Sequence, residues 1–233
     1  MHIRLLIARH GQTTYNLEHR FLGQADVPLN QMGEQQAQAL AERLAIEKID
    51  AVVSSDLARA YDTALAIAQP HSLTVLRDPD LREIKMGAWE GKSFFEAEEQ
   101  DASLFARWRA DPTLSTPPGG ETLGQLCERV VRALARWLEC FPNPSDLETE
   151  EPCVAWVTHS ALIGVLFCSL LHMPLTRRWQ FQSDNASLSE ICLQDPNRAI
   201  VTCFNDTGHI RARGLWRPAP VGLYVEKQQQ KER

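Results

Sequence analysis

Three short apolar runs constrain this chain most: Leu5–Ala8, Ile49–Val53 and Cys153–Val157. Each is too short for a buried helix and reads as a strand covered on both faces. Each stops abruptly at polar residues, namely Arg9-His10-Gly11, Ser54-Ser55 and Thr158-His159-Ser160. Amphipathic segments follow them. Asn30 caps a helix expected over about Gln31 to Ile46, with Ala37, Leu40, Ala41, Leu44 and Ala45 on one face. Ser55 is placed to cap a second helix that Pro70 stops, and Ser160 a third that begins at Ala161. Thr122 and Gln125 have capping-box spacing before a helix reaching about Cys140. Ser72–Leu76 reads as a further strand, and Ser187–Leu193 with Ala199–Cys203 as a hairpin turning at Asp195-Pro196-Asn197.

Strands alternating with amphipathic helices predict an α/β fold: a three-layer α/β/α sandwich with a mostly parallel central sheet. One domain is expected over residues 1–233, with an inserted lid at about 93–120 and a basic tail at about 207–233. Within the lid, Ser93 to Arg109 reads as helix and carries exposed-looking aromatics: Phe94, Phe95, Phe105 and Trp108.

A net charge of −6 argues against nucleic acid or a polybasic membrane surface as partner. The six cysteines are scattered without a C-x-x-C pair, which fits small core residues in a reducing cytoplasm better than a zinc site. Arg4 interrupts the only N-terminal apolar run, so no signal peptide is expected. Cys153 to Leu171 is long and apolar enough to raise a membrane span, but Thr158-His159-Ser160 in its middle would be costly in lipid. Strand, turn and helix explain it better.

In an open α/β sheet, ligands collect beyond the carboxyl ends of the strands, where His10, Arg59 and His159 fall. Taken singly, Arg59 reads as a solvated surface charge and His159 equally well as a core histidine. Three strand ends, each followed by a cation or an imidazole, are a less probable accident than any one of them.

Arg9-His10-Gly11-Gln12-Thr13 with Asn16 resembles the signature of the histidine phosphatase superfamily, the phosphoglycerate mutase-like proteins. Ser54-Ser55-Asp56-Leu57-Ala58-Arg59-Ala60 is similar to its second arginine motif, and Val157-Thr158-His159-Ser160 to its second histidine motif. Leu81-Arg82-Glu83-Ile84, followed by Gly87 and Trp89-Glu90-Gly91, resembles the segment carrying its acid, and Pro118–Thr122 the turn before its long helix. The resemblance implies that His10 attacks phosphorus and becomes a phosphohistidine, with Arg9, Arg59 and His159 around the equatorial oxygens. It implies Glu83 as the proton donor and later acceptor, although Glu90 or Glu121 would serve on chemistry alone. Gly11, Thr13, Asn16, Gly23, Gln24 and Ser160 complete the expected substrate site. No metal or other cofactor is implied. A small phosphomonoester is the expected partner, with a homodimer as an option.

Hydrolysis is favoured over phosphoryl return by Gln12, where the mutase branch has glutamate, and by Gln24, where it has tryptophan. Mutases also pair two arginines in the lid; here Arg109 is followed by Ala110. A tail with Arg211, Arg213 and Arg217 that closed over the site would argue the other way by excluding water. Two further readings rank lower. A metal-dependent hydrolase lacks an H-x-x-x-H pair, and a non-catalytic phospho-ligand binder would not need the nucleophile and acid.

Overall fold

The computed structural model describes residues 3–141, 151–195 and 198–217. In chain order the elements are β1 (Ile3–Arg9), α1 (Thr14–Leu17), α2 (Gln31–Leu44), β2 (Ala51–Ser54), α3 (Ala58–Ala68), β3 (Val75–Arg77) and α4 (Phe94–Gln100). There follow α5 (Ala102–Ala110), α6 (Leu123–Glu139), β4 (Cys153–Thr158), α7 (Ser160–Leu170), β5 (Leu188–Asp195), β6 (Arg198–Asp206) and α8 (Gly208–Arg211).

The six strands form one mixed sheet in the order β3-β2-β4-β1-β5-β6. The β3–β2, β2–β4 and β4–β1 pairings are parallel, while β5 runs antiparallel to β1 and to β6. Side chains alternate along β1 as strand geometry demands. Leu5 and Ile7 join Val53, Val154 and Trp156 in the core under α6 and α7, whereas Leu6 and Ala8 join Val52, Ala155 and Val157 under α2 and α3. Both faces are covered, which is why β1, β2 and β4 read as apolar runs. Each buried aliphatic side chain contributes about 1.5–3 kcal/mol relative to exposure. The register sets Arg9 opposite Thr158 and Ser54 opposite Val157, so the three polar strand ends stand side by side.

Several local expectations are corrected. Ser55 does not cap α3; Asp26 accepts the Ala58 N–H at 2.7 Å instead. Likewise His159, not Ser160, is the residue before α7, and Ser160 is its first helical residue. The Ser93–Arg109 stretch is two helices, broken where Asp101 adopts an extended backbone and accepts from Leu104 N. Phe105 and Trp108 are not exposed: they are 2% and 4% accessible and pack with Phe21 and Trp89. Phe95 alone of those four is freely exposed, at 67%. The third strand is shorter than expected, beginning at Val75. The hairpin forms, although Pro196 and Asn197 of its expected turn lie outside the described residues.

The Cys153–Leu171 segment is indeed a strand and a helix, and no described helix is long and apolar enough to cross a membrane. The tail folds back on α2 through α8. Arg213 pairs with Glu42, and Arg211 stacks on Trp216 with its guanidinium carbon 3.6 Å from a ring centroid. Residues 218–233 of the basic tail lie outside the described residues.

Candidate active site

At the end of β1 the chain turns into His10, whose backbone N–H reaches Thr158 O at 3.0 Å on the neighbouring strand. The ring is buried, and its Nδ1 lies 2.7 Å from Gly11 O. A carbonyl can only accept, so Nδ1 carries the proton and Nε2 keeps its lone pair. The His159 ring lies 5.0 Å away, centroid to centroid, with its Nε2 2.9 Å from Ser55 Oγ. Ser55, just past the end of β2, therefore meets His159 while also accepting the Leu57 N–H at 3.3 Å.

Two arginines flank the histidines, and both are buried. Arg9 donates through Nη1 to Ser183 O at 2.6 Å. Arg59, at the second residue of α3, donates to Gly23 O and Ala25 O, both at 2.8 Å. Among the described residues, neither Nε has a hydrogen-bond partner, and nor does Nδ1 of His159. Buried polar atoms left open in this way are unusual in a finished core. The surface-charge reading of Arg59 and the satisfied-core reading of His159 both fail on these observations.

Glu83 closes the constellation from the segment after β3. One carboxylate oxygen accepts from Ile84 N at 2.9 Å and the other from Ala161 N at 3.2 Å, beside His159. The competing acids are employed elsewhere. Glu90 accepts the backbone N–H groups of Gln24 and Met86, and Glu121 pairs with Arg129 at 2.7 Å.

The remaining expected residues hold this frame. Gly11 packs so tightly on α2 that a Cβ would collide with Gly33 O, and its N–H donates to Thr63 Oγ1, which in turn donates to Arg59 O at 2.8 Å. Thr13 is buried and shares a capping box with Asn16. Gly23 has φ +51°, a backbone state that favours glycine, and presents its carbonyl to Arg59. Gln24 donates to Glu83 O at 3.2 Å, and Ser160 accepts from Ser183 Oγ at 3.3 Å.

The sequence reading missed the segment Ser183–Ser187, which clamps the Arg9–Gly11 loop. Asn185 Nδ2 reaches His10 O at 3.2 Å, Gly11 O at 3.4 Å and Asn16 Oδ1 at 3.2 Å. Ser187 O and Ser183 O receive the backbone and side chain of Arg9, and Ala186 N donates to His10 O at 3.1 Å. Asn16 Oδ1 also accepts from Thr13, so its amide is fixed with Nδ2 as the remaining donor.

Burial drives the His10 and His159 imidazoles well below their ordinary value, with Arg59 as the next cause for each. Burial also pushes Arg59 down to about 10, against the opposing charges of Glu83 and Asp26. Both histidines are therefore neutral when folded but take up protons when unfolded below about pH 6.5. The unfolded state then binds more protons, so stability falls with pH below that value, by up to about 1.4 kcal/mol per unit for each histidine. A thermal melt series in phosphate-free buffer from pH 7.5 to 5 checks this. A flat melting temperature below pH 6.5 would contradict it.

The family model of the histidine phosphatase superfamily (branch 1) matches residues 5–207. The chain belongs to that superfamily. It is 32% identical over 208 residues to phosphoserine phosphatase 1 of Hydrogenobacter thermophilus, covering 89% of this chain and 94% of the relative. It is 32% identical over 216 residues to a probable phosphoglycerate mutase of Proteus mirabilis, covering 89% and 95%. The solved structure of a mycobacterial glucosyl-3-phosphoglycerate phosphatase superposes with TM-score 0.80 at 32% identity, over 89% of this chain and 100% of that one. Against three mycobacterial relatives at 38% identity, the chain spans 55% of their length.

Proposed function

We propose that this protein hydrolyses a small phosphomonoester through a phosphohistidine on His10. The observation that carries the reading is the His10 ring, held neutral with Nδ1–H on Gly11 O and Nε2 left as a nucleophile among Arg9, Arg59 and His159. Nε2 attacks phosphorus in line as the bond to the leaving oxygen breaks, and Glu83 supplies that oxygen's proton. The open donors of Arg9, Arg59 and His159 take the equatorial oxygens, where charge is spread in the transition state. Asn16 Nδ2 is assigned as a further donor, and Gly11, Thr13, Gly23, Gln24 and Ser160 as the frame that aims these groups. Water then attacks the phosphohistidine, gives its proton to Glu83 and releases inorganic phosphate, restoring neutral His10.

Hydrolysis is preferred to mutase chemistry. Gln12 and Gln24 replace the residues expected of a mutase, and the tail arginines Arg211 and Arg213 are engaged at Trp216 and Glu42 rather than over the site. Relatives named as phosphatases support this, while the relative named as a probable mutase keeps phosphoryl return as the second reading. The six free thiols support a reducing, cytoplasmic location. A phosphomonoester panel scored for released phosphate, with and without a bisphosphoglycerate primer, tests the reading. Primer-independent release is expected; primer-dependent isomerisation without release would overturn it.

A further inference from the structure

One buried cation near this site has no task in the mechanism above. Arg178 lies in the 3₁₀ turn Leu175–Gln180 and is only 8% accessible. Among the described residues its buried Nε finds no acceptor, and its guanidinium has no carboxylate within ion-pair distance. What it touches is Trp179, whose ring centroid lies 3.5 Å from the guanidinium carbon. Stacking of that kind fixes the plane of the guanidinium and leaves its N–H edges free for a planar anion. Trp179 is itself half-exposed and meets Trp108 of α5 edge-on, centroids 6.2 Å apart.

Its position relative to Glu83 is set by α7. Glu83 is anchored on Ala161 N, and Gly164 lies one turn further along, about 4.5 Å by helical rise. A Cβ on Gly164 would come 3.0 Å from Arg178 O and 3.3 Å from Arg178 Cβ, so this glycine lets the arginine backbone press against the helix. Glu83 is also the carboxylate whose charge opposes the desolvation of Arg9, Arg59 and Arg178 alike. Arg9 has a second opposing carboxylate in Asp184, and Arg59 has two more in Asp26 and Glu90, whereas Glu83 is, among the described residues, the one carboxylate that opposes the burial of Arg178.

We propose that Arg178, backed by Trp179, binds a carboxylate on the leaving portion of the substrate. The protein is then a phosphatase for phosphorylated hydroxy- or amino-acids rather than for neutral sugar or alcohol phosphates. This rests on the phosphatase reading for its chemistry but not for its binding. A carboxylate is the planar partner that a stacked guanidinium takes through two N–H bonds.

Phosphoserine and phosphoethanolamine differ by that one carboxylate and make the test. Wild-type kcat/KM is expected to favour phosphoserine by about tenfold or more, as loss of a charge-assisted hydrogen bond implies. Arg178→Met should lower kcat/KM for phosphoserine and 3-phosphoglycerate mainly through KM, while p-nitrophenyl phosphate stays within about threefold. Arg178→Lys, which keeps the charge without the planar fork, should fall between. A wild-type enzyme indifferent to the carboxylate, or an Arg178→Met loss equal for all substrates, overturns the proposal; so does a loss confined to sugar bisphosphates. Should Arg178→Met melt early, the wild-type comparison and Arg178→Lys still decide. Calorimetric binding of both ligands to the His10→Ala protein separates the two readings. A protein that binds phosphoserine preferentially but hydrolyses nothing keeps the anchor and loses the phosphatase reading.

Discussion

His10→Ala is expected to lower phosphate release by about 10⁴-fold or more and to abolish the covalent intermediate, on the scale seen when a nucleophile is removed. The size of the effect follows from geometry. Nε2 of His10 is the lone pair that tautomer and burial jointly leave open, while Nε2 of His159 is tied to Ser55 Oγ at 2.9 Å. With Nδ1 of His159 assigned as a donor to phosphate, the lone pair left on its Nε2 cannot take over the attack without breaking that contact. The change should be mild for stability, because the variant loses a bond to Gly11 O but also a desolvated polar ring. Base-quenched labelling with a radioactive phosphomonoester checks it. Wild type should retain acid-labile label, and His10→Ala none while still binding phosphate. Residual turnover above about one per cent, with label retained, would move the nucleophile elsewhere.

Much of this arrangement was legible in the sequence, because burial on both faces leaves a clear record. A strand covered by helices on each side must be apolar throughout, so β1, β2 and β4 declared themselves, and the polar residues at their ends stood out by contrast. Arg59 and His159 gained meaning only together, since each alone resembles an ordinary surface or core residue. Glu83 lay beyond local reasoning. Glu90 and Glu121 offer the same chemistry, and what separates the three is long-range: Glu90 holds Gln24 and Met86, Glu121 holds Arg129, and Glu83 meets the start of α7.

The clamp at Ser183–Ser187 was not legible for a different reason. Its hold on Arg9, His10 and Gly11 runs through backbone carbonyls and one amide side chain, across a span of about 175 residues. Neither composition nor period records such contacts. The aromatics misled because Phe105 and Trp108 pack against Phe21 and Trp89, which sit in irregular segments with no period to reveal a shared face. The break at Asp101 left a local trace, a side chain poised to cap Leu104 N, but it sits inside a run otherwise favourable to helix.

Glu83→Gln is the second large effect expected, a loss of about 10²–10⁴ in turnover of an alkyl phosphate. The amide has the size of the carboxylate but cannot give a proton to the leaving oxygen or take one from water. Size alone does not make it silent, since Glu83 accepts from both Ile84 N and Ala161 N and an amide oxygen can keep only one of these bonds. A uniform loss would therefore be open to a structural explanation, so the discriminating readout is the leaving group. p-Nitrophenolate departs without needing a proton, so phosphorylation of His10 should be nearly spared with p-nitrophenyl phosphate. Hydrolysis of the phosphohistidine still needs a base and should be slow with every substrate. Glu83→Gln should accordingly release one equivalent of p-nitrophenol in a burst and then stall, with phosphohistidine accumulating, whereas an alkyl phosphate gives no burst. A loss of equal size for both substrates without a burst would return Glu83 to a purely structural role at the start of α7 and leave the proton donor to be found elsewhere.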